Sequence, residues 1–388
     1  MHQATQHTKE KKTKLWRILM GMTALCMGAV TVLAAFAGGG ENDSAQAAPL
    51  RTGRIVLYAQ DAPGFSISKK EASAVDQLNY AFALIRNGEA SVSHMKGLQG
   101  IKRVMQQYPE LEVLLSIGGW GADGFSQACA TPEGRKKLVD SILRIVDEYG
   151  FQGVDVDWEY PANATAGIVS AENDMENWYA LLKLLREGLD ERAEREGRMY
   201  RLSVALGAGE EHIAKVDGVR LNALVDQAVV MAYDLRGFDK TTGHHAGLYP
   251  DGKTKLSAAW AVQAYKQAGL KNEKILLGMP LYGRMWRQVP ENGGLNQRAG
   301  TSGNRVLTQL EVTQRMQSGA YTRHWDDDAK APYLIGEGNF ISFDDAQSAA
   351  EKAAYLTKHE LQGVALWAKH QDEDGSLLQA VSLALTAP

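Results

Sequence analysis

The stretch Gly150-Phe-Gln-Gly-Val-Asp-Val-Asp-Trp-Glu-Tyr-Pro161 predicts a buried β-strand that carries three acidic residues on one face. Alternate side chains of a strand point to opposite faces, so Asp155, Asp157 and Glu159 share one face, and apolar residues occupy the other. Three carboxylates in an enclosed site repel one another, and at least one is expected to hold a proton near neutral pH. Glu159, at the open end of the strand, is the expected holder. A protonated carboxyl beside an anionic one suits general acid catalysis.

Two other interpretations of this strand are weaker. Acidic residues that alternate along a strand commonly face solvent, but Phe151, Gly153 and Tyr160 are not typical flanks of an exposed edge. Carboxylates without a neighbouring histidine could also bind magnesium or calcium. We favour acid catalysis, and we expect neither a metal ion nor a cofactor.

Composition and charge limit the class of protein. The chain has 388 residues, of which 45% are hydrophobic and 23% charged, and its net charge is −4. This composition is typical of a globular protein of one large domain or two modest ones. Because no basic block occurs beyond the N-terminal region, nucleic acid is not an expected partner. We expect a monomer.

The first 47 residues are predicted to be a signal peptide. Basic residues at positions 9–17 overlap an apolar run from Leu15 to Phe36, and Ala45-Gln46-Ala47 offers a small-x-small cleavage site. The apolar run is long for a signal peptide, so an uncleaved membrane anchor is the alternative. We favour cleavage, which predicts a secreted or periplasmic protein with no stable membrane association.

Residues 48–388 are predicted to form an α/β protein, a (β/α)8 TIM barrel. Strand-like runs alternate with helical stretches, which indicates a parallel sheet with covered faces, and eight such strands would close into a barrel. About eighty residues separate the last two strands, too many for one helix and its loops. We therefore predict a small α+β insertion over 284–342. The predicted strands are 54–58, 77–84, 112–117, 151–158, 201–206, 227–234, 274–282 and 362–367.

Aromatic and polar side chains recur at the predicted strand ends, where a barrel carries its active site. Any single aromatic residue there could equally belong to the hydrophobic core. The set as a whole favours a saccharide as the ligand, since aromatic faces stack on the apolar faces of sugar rings. A glycine-rich phosphate loop after strand seven is not evident. The set comprises Tyr58, Trp120, Met231, Tyr233, Asp234, Tyr282, Arg284 and Trp367.

The acidic strand resembles the Asp-x-x-Asp-x-Asp-x-Glu signature of glycoside hydrolase family 18, the chitinases, with Gln152 at the first acidic position. The resemblance covers residues 54–385, and the segment from Tyr321 to Asp345 is similar to the bacterial chitinase B type, which carries an insertion domain. The other matching motifs are Ser116-Ile-Gly-Gly-Trp120, Met231-Ala-Tyr-Asp234, Met279-Pro-Leu-Tyr-Gly-Arg284 and Trp367-x-x-x-Gln-Asp-x-x-x-Gly.

The resemblance implies a retaining, substrate-assisted hydrolysis of chitin or chito-oligosaccharides. It implies that Glu159 is the general acid and that Asp157 orients the substrate's acetamido group, which attacks the anomeric carbon. Asp155 would share a proton with Asp157, with Tyr58 and Ser116 beside it. The remaining implied substrate contacts are Tyr233, Asp234, Trp120, Met231, Tyr282, Arg284 and Trp367.

Two alternative functions stay open at the level of sequence. An endo-β-N-acetylglucosaminidase acting on glycoprotein glycans or another N-acetylated glycan would keep the acidic strand, although the predicted insertion argues against it. A chitin-binding lectin on the same fold would typically lack the terminal glutamate, so Glu159 argues against that reading.

Overall fold

The structure, a computed structural model, describes residues 51–290 and 294–386. The predicted signal peptide over 1–47 lies outside the described residues. The strands are Arg54–Gln60 (β1), Gln77–Arg86 (β2), Glu89–Ser91 (β3), Glu112–Gly118 (β4), Gly153–Asp157 (β5), Arg201–Gly207 (β6), Gln227–Met231 (β7), Ile275–Pro280 (β8), Tyr282–Arg287 (β9), Arg305–Thr308 (β10), Tyr321–Asp326 (β11), Ala331–Gly336 (β12), Asn339–Ser342 (β13) and Gly363–Trp367 (β14).

Helices separate the parallel strands along the described chain. They are Lys69–Ala74 (α1), Leu98–Gln107 (α2), Phe125–Cys129 (α3), Pro132–Tyr149 (α4), Asp174–Glu196 (α5), Glu210–Ile213 (α6), Gly218–Asn222 (α7), Ala258–Gln267 (α8), Gln309–Gln317 (α9), Ala346–Lys358 (α10) and Ser376–Ala384 (α11). None of the helices in the described part is long and apolar enough to cross a membrane.

Eight parallel strands of the described chain form a closed barrel in the order β1, β2, β4, β5, β6, β7, β8 and β14, with β14 pairing back to β1. The interior holds a small apolar cluster with polar residues around it. The larger core lies between the strands and the outer helices. The predicted (β/α)8 barrel is confirmed, and the closed ring places all strand ends of one polarity at one rim.

The predicted α+β insertion is confirmed between β8 and β14. Five antiparallel strands pair in the order β10, β9, β13, β12 and β11, and α9 covers one face. Alternating side chains bury both faces of this sheet: Met285 and Ile341 lie in one cluster, while Trp286 and Phe340 lie in the other. Contacts to the preceding loop, such as Leu248 N to Ala329 O at 2.9 Å, attach the insertion to the barrel rim.

Helix α4 begins at residues that favour a helix start. The Thr131 hydroxyl accepts a hydrogen bond from the Gly134 N–H, and Pro132 occupies the first turn. Helix α5 begins at Asp174. The Asp174 carboxylate accepts hydrogen bonds from Ala171 N and the Ser126 hydroxyl, and so holds the preceding loop in a non-helical conformation.

Candidate active site

The acidic strand β5 lies between β4 and β6 in the barrel wall. Asp155 is in register with Ser116 on one side and Ser203 on the other. Asp157 ends the strand, and Glu159 follows two residues later at the barrel rim. Asp155, Asp157 and Glu159 are 0%, 4% and 9% exposed. The three predicted acids are therefore enclosed together.

The opposite face of the same stretch is apolar, as the alternation predicts. Val154, Val156 and Trp158 belong to the core between the barrel and its helices. Trp158 stacks on Phe125 of α3, with ring centroids 5.0 Å apart and planes at 9°. This packing fixes which way the strand faces, and a one-residue slip would bury the acids among apolar side chains.

Asp155 is the deepest of the three acids. The Ser116 hydroxyl donates a hydrogen bond of 2.6 Å to its Oδ2. Burial raises the pKa of Asp155, while hydrogen bonding from Ser116 and the approach of Ser203 and Tyr58 oppose that rise. The Asp155 carboxyl is thus the acid of the row that has polar neighbours to stabilise its anionic form.

Asp157 stands between two other carboxyl groups. Burial raises its pKa well above the ordinary value, and the charges of Glu159 and Asp155 raise it further. Its Oδ1 is buried without a hydrogen-bond partner among the described residues. A carboxyl in these surroundings is expected to hold or share a proton, because a second buried anion beside the first is unfavourable.

Glu159 faces the open end of the barrel. Burial raises its pKa to about 7, a contact with Tyr160 partly opposes the shift, and the negative charge of Asp234 adds to it. Glu159 is therefore protonated below about pH 7, which is the state a proton donor needs.

Asp234 has the opposite electrostatic surroundings. It follows β7 with φ at +56°, a left-handed conformation that aspartate tolerates better than most residues. Its Oδ1 accepts hydrogen bonds from the Tyr282 hydroxyl at 2.7 Å and from Arg284 Nε at 2.5 Å. Burial alone would raise the pKa of Asp234, but His245 and Arg284 lower it below the ordinary range. The cleft thus holds one protonated and one ionised carboxyl group.

The Gly118-Gly119 pair at the end of β4 brings the chain close to the acidic strand. The Gly119 N–H donates to the Asp157 carbonyl at 2.9 Å. Gly118 has φ at +111°, and a Cβ there would lie 2.1 Å from the same carbonyl oxygen. Only glycine fits this position, so the Ser116-to-Trp120 motif sets the spacing between β4 and the acids.

A cleft of about 330 Å³ opens above Glu159. Trp120 is 59% exposed at its wall, and Phe238 is 67% exposed. Both aromatic faces are therefore accessible to a ligand, beside the charged pair of Asp234 and Arg284. The lining residues are Trp120, Glu159, Tyr160, Thr165, Ala208, Gly209, His212, Met231, Tyr233, Asp234, Leu235, Phe238, Leu256 and Arg284.

Trp367 lies at the end of β14, outside the set that lines this volume. Its ring is 5.5 Å from that of Tyr58 and 5.6 Å from that of Phe82, with which it stacks. Tyr58 in turn lies close enough to Asp155 and Asp157 for both charges to raise its pKa, although burial is the larger cause. The predicted site residues therefore gather at one end of the barrel.

Several cleft residues were not predicted from the sequence. Tyr160 lies three residues after the end of β5, so the rule that found the other aromatic residues could have found it. Phe82 lies within β2 and reaches the site by stacking on Trp367. His212 lies in the short helix α6, and His245 lies in the loop after β7. Neither position carries a local sequence signal, and only the fold brings them to the site.

A model of the family described as glycosyl hydrolases family 18 matches residues 54–372. The chain belongs to this family. Within residues 51–290 and 294–386, no group of three or more His, Cys, Asp or Glu side chains is arranged to hold a metal ion.

Relatives in family 18 include named chitinases. Chitinase A1 of Niallia circulans is 34% identical over 301 residues, which cover 71% of this chain and 43% of that protein. Chitinase B of Serratia marcescens is 27% identical over 396 residues, covering 82% of this chain and 78% of the relative. This family 18 chain thus spans less than half the length of the Niallia protein that it resembles.

A solved structure of a family 18 N-acetylglucosaminidase from Paenibacillus barengoltzii is also similar. It superposes with a TM-score of 0.82 at 36% identity and covers 86% of this chain and 100% of that one. The family 18 fold of this chain is therefore shared along nearly the whole of residues 51–386.

Proposed function

We propose that this chain is a chitinase, which hydrolyses β-1,4-linked N-acetylglucosamine polymers with retention of configuration. The observation that carries the proposal is the enclosed row of acids ending in Glu159, whose pKa of about 7 equips it as a proton donor at the mouth of the cleft. Family membership and the exposed aromatic faces of Trp120 and Phe238 support a polymeric saccharide as substrate.

In the proposed reaction the substrate supplies the nucleophile. Glu159 gives its proton to the glycosidic oxygen as that bond to the anomeric carbon breaks. The carbonyl oxygen of the substrate's N-acetyl group forms a bond to the same carbon, which gives an oxazolinium ion. Water then attacks the carbon from the opposite face as the bond between that carbon and the acetamido oxygen breaks. Glu159 takes a proton from the water, and net retention results. Family 18 enzymes are a known exception to the two-carboxylate scheme.

Asp157 is proposed to orient the acetamido group. Asp157 shares a proton with its neighbours Glu159 and Asp155. It also accepts a hydrogen bond from the acetamido N–H of the substrate. Its negative charge then stabilises the positive charge of the oxazolinium ion. The raised pKa of Asp157, caused by burial and by both neighbours, supports the sharing of a proton along the row.

The remaining predicted residues are proposed to bind the substrate. Tyr233 hydrogen-bonds the acetamido oxygen, and Asp234, held by Tyr282 and Arg284, binds and distorts the sugar. Trp367 supports the sugar from below, Trp120 stacks on the next ring, and Met231 lines the wall.

The Paenibacillus structure favours a second candidate, an N-acetylglucosaminidase that acts on shorter N-acetylated glycans. Both candidates use the same acids and differ in the length of glycan that the cleft accepts. A lectin-like role is disfavoured by Glu159, which binding alone does not require.

Release of soluble oligosaccharides from colloidal chitin tests the proposal. We expect chitin and N-acetylated chito-oligosaccharides to be cleaved and the product to appear first as the β-anomer in proton NMR. Cellulose chains of equal length, which lack the acetamido group, should be inert. Cleavage of cellulose at a comparable rate would contradict substrate assistance, and cleavage of only the shortest glycans would favour the second candidate.

We further propose that the protein is exported, that residues 1–47 are removed by cleavage after Ala47, and that the mature protein is a monomer. The small-x-small sequence Ala45-Gln46-Ala47 supports cleavage there. N-terminal sequencing of the protein recovered outside the cytoplasm should begin at Ala48, and its size-exclusion mass should be that of one chain. Recovery of the intact N-terminus in the membrane fraction would indicate the anchor instead.

A further inference from the structure

His245 is a buried histidine beside the cleft that the proposed reaction does not use. It is 0% exposed, and neither of its ring nitrogens has a hydrogen-bond partner within the described residues. Buried polar groups in folded proteins are nearly always hydrogen-bonded, so a fully enclosed imidazole without a partner calls for an explanation.

The backbone of His245 is fixed at the junction of barrel and insertion. Its N–H donates to the Ser342 hydroxyl at 3.0 Å, at the end of β13. Its carbonyl accepts the Leu235 N–H at 3.0 Å, next to Asp234 in the cleft loop. The ring is 5.2 Å from that of Tyr282. The imidazole therefore has little freedom to turn away from the cleft.

His245 Nδ1 lies 3.6 Å from Asp234 Oδ1. This is about 0.5 Å longer than an ordinary hydrogen bond, a gap that a small rotation of either side chain closes. The same oxygen is held from the other side by Tyr282 and Arg284. His245 Nδ1 is thus a third nitrogen or hydroxyl group close to this one carboxylate oxygen.

Burial and three neighbouring charged groups decide the protonation of His245. Burial lowers its pKa, and the Arg284 guanidinium acts in the same direction, whereas Asp234 and Asp344 act against it. Asp344 is itself neutralised by a buried ion pair with Lys352 of α10, at 2.5 Å between Nζ and Oδ2. The imidazole is therefore neutral at pH 7, and it carries a single N–H to donate.

We propose that His245 is a positioning residue: neutral and protonated on Nδ1, it donates a hydrogen bond to Asp234 and keeps that carboxylate ionised and oriented toward the sugar. The hydrogen bond itself is independent of the reaction, whereas its catalytic consequence rests on the proposed chitinase function.

Two substitutions of His245 separate the effect of its hydrogen-bond donor from the effect of its packing volume. In His245→Asn the side-chain amide nitrogen occupies the position of Nδ1 and keeps a donor, but the ring volume is lost. In His245→Leu much of the volume is kept and the donor is lost. We expect kcat/KM on an N-acetylated chito-oligosaccharide to fall about tenfold in His245→Leu and by about twofold or less in His245→Asn, the difference being the net value of one hydrogen bond.

The control is His244→Asn. His244 is the adjacent buried histidine, and its Nε2 contacts Asp326 Oδ2 at 3.1 Å in the insertion, away from the cleft. We expect this variant to lose thermal stability but to keep kcat/KM. If His245→Leu were the more active of the two His245 variants, in line with its better packing, the positioning role would be overturned.

Nitrogen-15 NMR of the imidazole gives a readout that needs no substrate. At pH 7 the full chain should show His245 as the neutral Nδ1–H tautomer, and Asp234→Asn should change its Nδ1 shift. An Nε2–H tautomer or an imidazolium would overturn the inference, whether or not the wild-type protein hydrolyses chitin. Loss of hydrolysis with the Nδ1–H tautomer intact would instead refute only the proposed function.

Discussion

At the scale of single residues, the cleft holds two carboxyl groups whose pKa values are shifted in opposite directions. Burial raises the pKa of Glu159 to about 7. Asp234 is buried too, but donors from His245 and Arg284 lower its pKa below the ordinary range. The difference arises from their neighbours rather than from the carboxyl group, and it assigns the proton to Glu159 and the charge to Asp234.

Glu159→Gln removes the proton donor and keeps nearly the same shape. We expect kcat on chito-oligosaccharides to fall about 10²- to 10⁴-fold, the usual range for loss of a general acid, with binding largely intact. Turnover and calorimetric affinity are the measurements. Glu194→Gln, the same change at an exposed position of α5, is the control and should leave both unchanged. A Glu159→Gln variant that turns over normally would falsify the role.

Asp157→Asn removes one member of the coupled row. Burial, the largest cause of the raised pKa of Glu159, remains in this variant, but the electrostatic interaction with the Asp157 carboxyl is lost, so the pKa of Glu159 should fall. Because Glu159 must be protonated to act, the alkaline limb of the rate profile should move to lower pH, and kcat should drop. The pH dependence of kcat checks this. An unshifted limb would count against proton sharing in the row.

At the scale of elements, the strand ends carry the site, and the contacts between elements set its dimensions. The close approach of β4 to the end of β5 depends on Gly118, where a Cβ would lie 2.1 Å from the Asp157 carbonyl oxygen. The periodicity of apolar residues predicts the helices and strands themselves, but it does not predict the distance between two of them.

Gly118→Ala should therefore destabilise the fold by more than about 3 kcal/mol and abolish activity, because it combines a backbone clash with a positive φ. Gly121→Ala is the matched control: it also has positive φ, at +74°, but its nearest contact would be 3.6 Å away. We expect that variant to lose only about 1 kcal/mol. Denaturant unfolding of both variants measures the difference, and equal losses would mean that strain, and not the close approach, governs the site.

At the scale of the whole molecule, the acidic row makes stability depend on pH. A carboxyl whose pKa is raised on folding stabilises the folded state least when it is ionised, so the unfolding free energy should decrease as pH rises from about 4.5 through about 7. The shift of Glu159 corresponds to about 3 kcal/mol at most.

Thermal unfolding between pH 5 and pH 8 measures this loss. The wild-type protein should lose stability over that interval, and Asp157→Asn should lose less because fewer buried charges must form. The exposed substitution Glu194→Gln should follow the wild-type curve. A wild-type melting temperature that rises steadily to pH 8 would contradict the enclosed row.

The sequence by itself determined the elements and the acidic row. The spacing of Asp155, Asp157 and Glu159 is local, since a strand's period of two residues forces them onto one face. Eight strands separated by helices, with an excess of residues before the last strand, were sufficient to predict the barrel and its α+β insertion.

Only the tertiary structure decided which neighbours surround each acid. His245 and Arg284 are distant from Asp234 in the chain and meet it because loop, barrel and insertion pack together. Burial and opposing charge, which set the sign of a pKa shift, act through space. The alternation of acids in the strand predicted the proton on Glu159, but no pattern along the chain could show that Asp234 stays ionised.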